Sequence, residues 1–249
     1  MQIKRLILEK RHSRLGIEET LLAQHAKTLG IEVVQTVEKH VSRGFFKFEP
    51  TDLVAGSIQF MQHAVRAYGR VLAEHTPYPE CLGHLLYRKV RRLKTLKSAK
   101  ALLDRGETHF IKPQGWKLFT GFVATHSDDF RFNGASVQTP VWISEVVKFV
   151  SEWRVYVAHG EVLGIQFADH GGDRTVRPSR GAIAAAVNRL TTVGAPAGYA
   201  IDFGVLATGE TALVELNDGF SIGAYDRVSA ETYWRVIQAR WQQLIGVAP

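Results

Sequence analysis

The stretch YAIDFGVLATGETALVELND, residues 199–218, concentrates oxygen ligands on two short apolar runs. Between the runs, Ala207-Thr208-Gly209-Glu210 is a turn signal with a glycine where positive φ is needed. A hairpin with Thr208 and Gly209 as its loop sets Asp202 opposite Glu215. Directly opposed side chains of an antiparallel pair have Cβ atoms about 4.5–5.5 Å apart, where two carboxylates repel unless a positive charge lies between them. Asn217 shares the face of Glu215, because strand side chains alternate with period two. Two carboxylates and an amide oxygen are hard donors that suit Mg²⁺ shared with substrate phosphates. The alternative is a pair of edge-strand acids facing solvent, and a one-residue slip of register would scatter the cluster.

Cations that could meet a phosphate occur upstream. Lys112 ends the apolar strand HFIKP, and Lys117 follows in QGWKLFTG. Taken alone, each also reads as an ordinary surface residue. In SEWRVYVAHG, Glu152, Arg154 and Tyr156 share one face, while Trp153, Val155 and Val157 share the other. An arginine among large apolar neighbours needs a partner. Glu152 could supply a salt bridge, or the forked donors could hold a phosphate or a developing oxyanion. FADHGGDRT brings Asp169, His170 and Asp173 together, but the spacing matches no helical or strand ligand pattern and reads as a glycine-rich loop. The chain holds no Walker A, GxGxxG or GxSxG sequence.

These groups must be positioned by a chain of 249 residues, 45% hydrophobic, with a net charge of +7. That is ample for a sizeable core, in one large domain or two small ones. Cys81 is the single cysteine, which excludes an internal disulfide, and no Cys/His cluster has zinc spacing. No apolar run approaches the roughly 18–20 residues of a membrane span, and MQIKRLILEKRH is broken by charge before a signal-peptide core can form. A cytoplasmic protein is expected. Residues 88–100, RKVRRLKTLKSAK, carry seven basic side chains and no acid. Val90, Leu93, Leu96 and Ala99 recur at three-residue spacing and predict a helix over 88–100 with a buried stripe. Its wetter faces are either simply solvated or attract nucleotide phosphates, nucleic acid or an acidic protein.

Ile3, Leu6 and Ile7 predict a first strand, and Ile17, Leu21, Leu22, His25 and Leu29 one face of a helix ended by Gly30. A second strand over 31–37 and a third over 54–61, with helical continuation to Tyr68, complete a small parallel α/β domain. From about residue 107 closely spaced strands follow, at 108–113, 121–125, 140–147, 153–159 and 161–168. A helix at 183–193, the strand pair over 199–217 and a closing amphipathic helix from 229 pack with this antiparallel sheet. The expected class is α/β with α+β character, with domains over 1–105 and 106–249.

This order of parts resembles the ATP-grasp proteins, and specifically the clade named for two arginines and a lysine, from about Phe110 to Asp226. Asp202, Glu215 and Asn217 resemble the family's Mg²⁺ ligands at nearly the spacing of the ribosomal-protein glutamate ligases. The resemblance implies that Lys112 and Lys117 contact the α- and β-phosphates of ATP. It further implies that Glu145 and the Val146-Val147 backbone form an adenine hinge, that Glu152 lies near the ribose, and that Arg154 lies near the γ-phosphate or acyl-phosphate. Arg88, Arg91 and Arg92 are candidates for the second arginine. The chain departs from the family pattern in its short QGWKLFTG loop and in DGFSIGAYD, which lacks a proline-containing ending. The implied fold is an ATP-grasp domain after a small α/β domain. The implied activity is an ATP- and Mg²⁺-dependent carboxylate–amine or carboxylate–thiol ligase, acting on a small-molecule or peptide carboxylate and giving ADP and phosphate. A kinase on the same fold and a nucleic-acid-binding protein using the basic helix are the alternatives.

Overall fold

A computed structural model of the chain describes residues 2–74, 76–115, 118–168, 171–225 and 228–247. Lys117, Asp169 and His170 lie outside them. The chain forms two compact units, Met1–Leu82 with Val150–Pro249, and Gly83–Phe149.

The first unit begins with β1 (Arg5–Glu9), α1 (Ile17–Thr28), β2 (Glu32–Thr36), α2 (Glu38–Ser42), β3 (Asp52–Ala55) and α3 (Ile58–Ala67). Its three strands are parallel in the order β2-β1-β3. Strand β1 is central, and Leu6, Ile7 and Leu8 are fully buried, the continuous apolar run expected of a strand covered on both faces. Gly30, at φ +67°, ends α1 in the left-handed region. The buried face of α1 differs from the expected one. It consists of Glu19, Leu22, Ala23 and Ala26, while Ile17 and Leu29 are exposed. The two alanines allow close approach, and they turn the larger Ile17 away from the core.

The second unit contains β4 (Val90–Leu93), α4 (Leu96–Leu103), β5 (His109–Pro113), β6 (Phe122–Ala124) and β7 (Val141–Ser144). These strands form an antiparallel sheet in the order β4-β7-β5-β6. Leu96, Ala99 and Leu103 of α4 pack with Ile111, Phe122, Val141 and Ile143. The expectation of one basic helix over 88–100 is corrected here. Val90–Leu93 is a strand paired with β7, and the helix starts only at Leu96, where the Thr95 hydroxyl accepts from the Ser98 amide at 3.1 Å. Thr95 is an N-cap, and it divides the basic run between two elements. Because β4 belongs to this sheet, the compact units divide at 82/83 and 149/150, away from the change of texture near residue 105.

The first unit resumes with β8 (Ser151–Ala158), β9 (Glu161–Phe167), α5 (Arg180–Thr192), β10 (Gly198–Val205), β11 (Thr211–Asp218) and α6 (Ala230–Ile245). The strands form an antiparallel sheet in the order β11-β10-β8-β9. Helix α6 packs against β8 and β10 and also against α1 and β3. Its fully buried Trp241 donates from Nε1 to the Asp52 carbonyl at 2.6 Å. A Cβ at Gly198 would collide with the Val236 carbonyl of α6, so glycine permits this close crossing of helix on strand. Trp234 is also core. Among the described residues no helix is long and apolar enough to cross a membrane.

Candidate active site

The hairpin β10–β11 sets Asp202 opposite Glu215, as its apolar pattern predicts. The route differs from the expected two-residue loop. Leu206 and Glu210 still pair at the tip, through an amide-to-carbonyl bond of 2.9 Å, so the loop is Ala207–Gly209, with Gly209 at φ +94°. Such a three-residue loop shifts the register by one. A β-bulge between Asp202 and Phe203 shifts it back, with Val214 as the extra residue.

Strand β8 lies on the other side of β10 and sets Arg154 opposite Asp202, while β9 sets Gln166 opposite Arg154. Gln166, Arg154, Asp202 and Glu215 therefore form one row across all four strands. Arg154 and Asp202 are 5% and 1% exposed. The guanidinium holds the carboxylate in a fork, Nε to Oδ1 at 2.8 Å and Nη2 to Oδ2 at 2.7 Å, and the Asn217 amide donates to Oδ2 at 3.0 Å. Asp202, rather than Glu152, is thus the partner of the arginine. Burial opposes the charge on Arg154, but Asp202 outweighs it and holds the guanidinium pKa above its ordinary value.

The chain after β11 covers this row. Gly223 accepts from Arg154 Nη1 at 3.1 Å and from the Tyr156 hydroxyl at 3.0 Å. The same hydroxyl accepts from the Tyr225 amide at 2.9 Å, and Glu18 of α1 accepts from the Ala224 amide at 3.2 Å. The Tyr225 ring lies 3.8 Å from the Arg154 guanidinium carbon, a cation–π contact. Burial pushes the Tyr225 phenol up to about 12, and it raises Tyr156 as well. Tyr156 was legible as a face-mate of Arg154 in the alternation of β8. Tyr225, Gly223 and Glu18 were not, because nothing periodic marks a loop or tells which helix meets it.

Lys112 is half-buried on β5 and faces Trp142 of β7, which faces Arg92 of β4 on its other side. The Arg92 guanidinium lies 4.5 Å from the Trp142 ring centroid, a cation–π contact on the β4 side of that tryptophan. Arg91 pairs with Ile143 instead, and Arg88 donates to the Leu86 carbonyl at 3.0 Å. Glu145 follows β7 and is exposed; its carboxylate accepts from the Lys89 amide at 2.9 Å. Val146 is exposed and Val147 half-buried. Glu152 is half-buried on β8.

The hairpin donor set fits Mg²⁺ in kind, since Asp202, Glu215 and Asn217 offer hard oxygens on one face. Among the described residues there is no cluster of three His, Cys, Asp or Glu side chains that could hold a metal, so the set reaches three only through the Asn217 amide.

No curated protein matches the chain by sequence. Its fold is similar to those of several solved structures. A D-cycloserine synthetase aligns with a TM-score of 0.60 at 13% identity, covering 96% of this chain and 99% of that one. D-alanine–D-alanine ligase from Bacillus anthracis aligns at 0.58 and 11% identity, covering 97% and 98%. A RimK domain ATP-grasp protein from Sphaerobacter thermophilus aligns at 0.55 and 16% identity, covering 97% and 99%. The model of the ATP-grasp domain, family 2 of the clade named for two arginines and a lysine, matches residues 86–236. That span holds the Arg154–Asp202–Glu215 row, the hairpin and the Arg92–Trp142–Lys112 line, and with more than half of its length matched the chain belongs to this second family of the clade among the ATP-grasp domains.

Proposed function

We propose that the protein is an ATP- and Mg²⁺-dependent ligase that joins a carboxylate to an amine or a thiol. The row Arg154–Asp202–Glu215, with Asn217 beside it inside the family-matched segment, carries this reading. The solved relatives above include two proteins whose names denote synthesis or ligation of amino-acid products. In this reading a substrate carboxylate oxygen attacks the γ-phosphorus of ATP, and ADP leaves. The amine then attacks the carbonyl carbon of the acyl-phosphate, phosphate departs with the bonding pair, and the nitrogen loses a proton. Phosphoryl transfer asks the protein mainly for positioning and charge neutralisation. Mg²⁺, when bound, would neutralise charge on the phosphate oxygens.

Asp202, Glu215 and Asn217 are the proposed metal ligands. Arg154 has five N–H donors, of which Asp202 and Gly223 take three; its proposed role requires the others to meet a phosphate oxygen. Lys112 and Lys117 are the proposed phosphate contacts, Glu145 with Val146 and Val147 the adenine hinge, and Glu152 the ribose contact. Arg92, aligned with Lys112 across Trp142, is the proposed second arginine. The split of the basic run between β4 and α4 disfavours the nucleic-acid alternative, which rested on one continuous basic helix.

Thermal unfolding with ATP and Mg²⁺, repeated with EDTA, is the first test. Ligand at 100 times its dissociation constant adds about 2.7 kcal/mol, or roughly 5–10 °C for a chain of this size. Turnover should release ADP and phosphate, and Glu215→Gln should reduce it at least a hundredfold without changing the melting temperature. Formation of AMP and pyrophosphate, or full activity in Glu215→Gln, would remove the proposal. A stable phosphorylated product would assign a kinase.

A further inference from the structure

We propose that the edge of the parallel sheet at which β1, β2 and β3 begin docks on a membrane surface carrying anionic lipids. This inference is independent of the ligase reading. Three loops close that edge within the first unit. One follows α1, and the Glu32 amide just after it donates to the Lys4 carbonyl at 3.3 Å. The next, residues 43–51, leads into β3, and its Thr51 carbonyl accepts from the Lys4 amide at 3.1 Å. The third follows α3, where the Tyr68 hydroxyl donates to the Glu49 carbonyl at 2.6 Å. Each loop presents one large apolar side chain to solvent, with Leu29 53% exposed, Phe45 72% and Val71 89%. Exposed cations lie within two residues of each, Lys27 for the first, Arg43 and Lys47 for the second and Arg70 for the third.

Cations near helix C-termini are expected, because they answer the negative end of the helix dipole. The apolar tips have no such cause. Exposed apolar residues scattered singly need no explanation, but one on each of three loops at one edge forms a set. Glycines hold the tips in place. Gly30, Gly44 and Gly69 end α1, α2 and α3 at φ +67°, +72° and +72°, and the Phe45 amide donates to the His40 carbonyl at 2.9 Å. The tips are therefore presented with little ordering cost on binding. Three carboxylates at the same edge converge on Arg5, which holds Asp52 in a fork with both bonds at 2.8 Å, lies 3.1 Å from Glu49 and pairs with Glu32 in the β1–β2 register. Three separate tips fit a flat, deformable surface, whereas a rigid protein partner would need a pocket for each. Leucine and valine have no ring on which a base could stack, which disfavours nucleic acid. Interfacial binding grows with the apolar area that enters the headgroup region and with the attraction of nearby Lys and Arg to anionic lipids. Glu18, at the opposite end of α1, bonds the loop over Arg154, so this edge and the candidate active site lie at opposite ends of that helix.

The test is co-sedimentation of the full chain with vesicles of phosphatidylcholine alone and of phosphatidylcholine mixed with phosphatidylglycerol, at low and high salt. The chain should sediment with the mixed vesicles at low salt, less with phosphatidylcholine alone, and less again as salt screens the cations. Phe45→Ser with Val71→Ser should lower partitioning onto the mixed vesicles at least tenfold, and Arg43→Glu with Lys47→Glu should remove the preference for them. All four positions are exposed, so the melting temperatures of both double variants should equal that of the parent chain. No sedimentation with the mixed vesicles, or unchanged partitioning in both double variants, would overturn the proposal. A single-stranded RNA oligonucleotide is the control ligand, and RNA binding that both double variants abolish would overturn it by assigning the edge to nucleic acid.

Discussion

Arg154 and Asp202 are a buried ion pair whose importance appears when one partner is removed. Asp202→Ala leaves a guanidinium in a 5% exposed position without its fork, and should cost about 3–5 kcal/mol in urea unfolding. Replacing both residues, by Arg154→Met with Asp202→Leu, should restore most of that stability while abolishing turnover. The carboxylate was legible in the sequence, because a hairpin between two apolar runs fixes which residues oppose. The partner of the arginine was not. Glu152 is two residues along the same strand, about 6.6–6.8 Å away, whereas a directly opposed side chain is nearer. Which strand would lie beside β8 is a tertiary fact that no local pattern contains. Tyr225 gives a pH prediction. Its folded pKa, about 12, is above the ordinary 10 because of burial, so from pH 10 upward the unfolded chain loses the proton first. Stability from the neutral phenol is complete below pH 10 and is lost as the pH rises toward 12. Urea midpoints measured across that window should fall less steeply for Tyr225→Phe than for the parent chain.

The crossing of α6 over β10 depends on Gly198. A methyl there meets the Val236 carbonyl and the Arg240 amide, so Gly198→Ala should push the helix outward and cost about 1–3 kcal/mol by chemical denaturation. Full stability in this variant would show that the crossing is loose. Most elements were legible from period. The apolar run of β1, the alternation of β8 and the capped helices α5 and α6 agree with their patterns, because burial enforces them over several residues; the third strand, expected over 54–61, instead ends at Ala55, and Ser57 caps α3 from Ile58. The basic segment failed for a physical reason. Val90, Leu93, Leu96 and Ala99 satisfy a three-residue period in a strand of four residues followed by a capped turn of helix, and a strand that short has too few alternations to declare itself. Thr95 was the available signal, as a hydroxyl that could stop one element and start the next. The hairpin shows a subtler case, in which the predicted pair is right while the loop length and the bulge, each a shift of one residue, cancel.

For the molecule as a whole, the unit Gly83–Phe149 has its own four-stranded sheet, helix and core. Expressed alone, it should fold with cooperative thermal unfolding by circular dichroism, although a core of this size leaves little margin. A non-cooperative melt would mean that its core is insufficient without the rest of the chain. The first unit has no such independence, since it is assembled from both ends of the sequence, with Trp241 of α6 donating to the Asp52 carbonyl in β3. This arrangement has a consequence for synthesis. At about 5–20 residues per second, the ribosome needs roughly ten to thirty seconds to pass from the first segment to the helix that covers it. During that interval the parallel sheet lacks the α6 surface it will bury, while the intervening unit can already fold. Nascent chains are therefore most vulnerable to proteases and chaperone capture in their first eighty or so residues, and slowing translation downstream of residue 149 should lengthen that vulnerability in proportion.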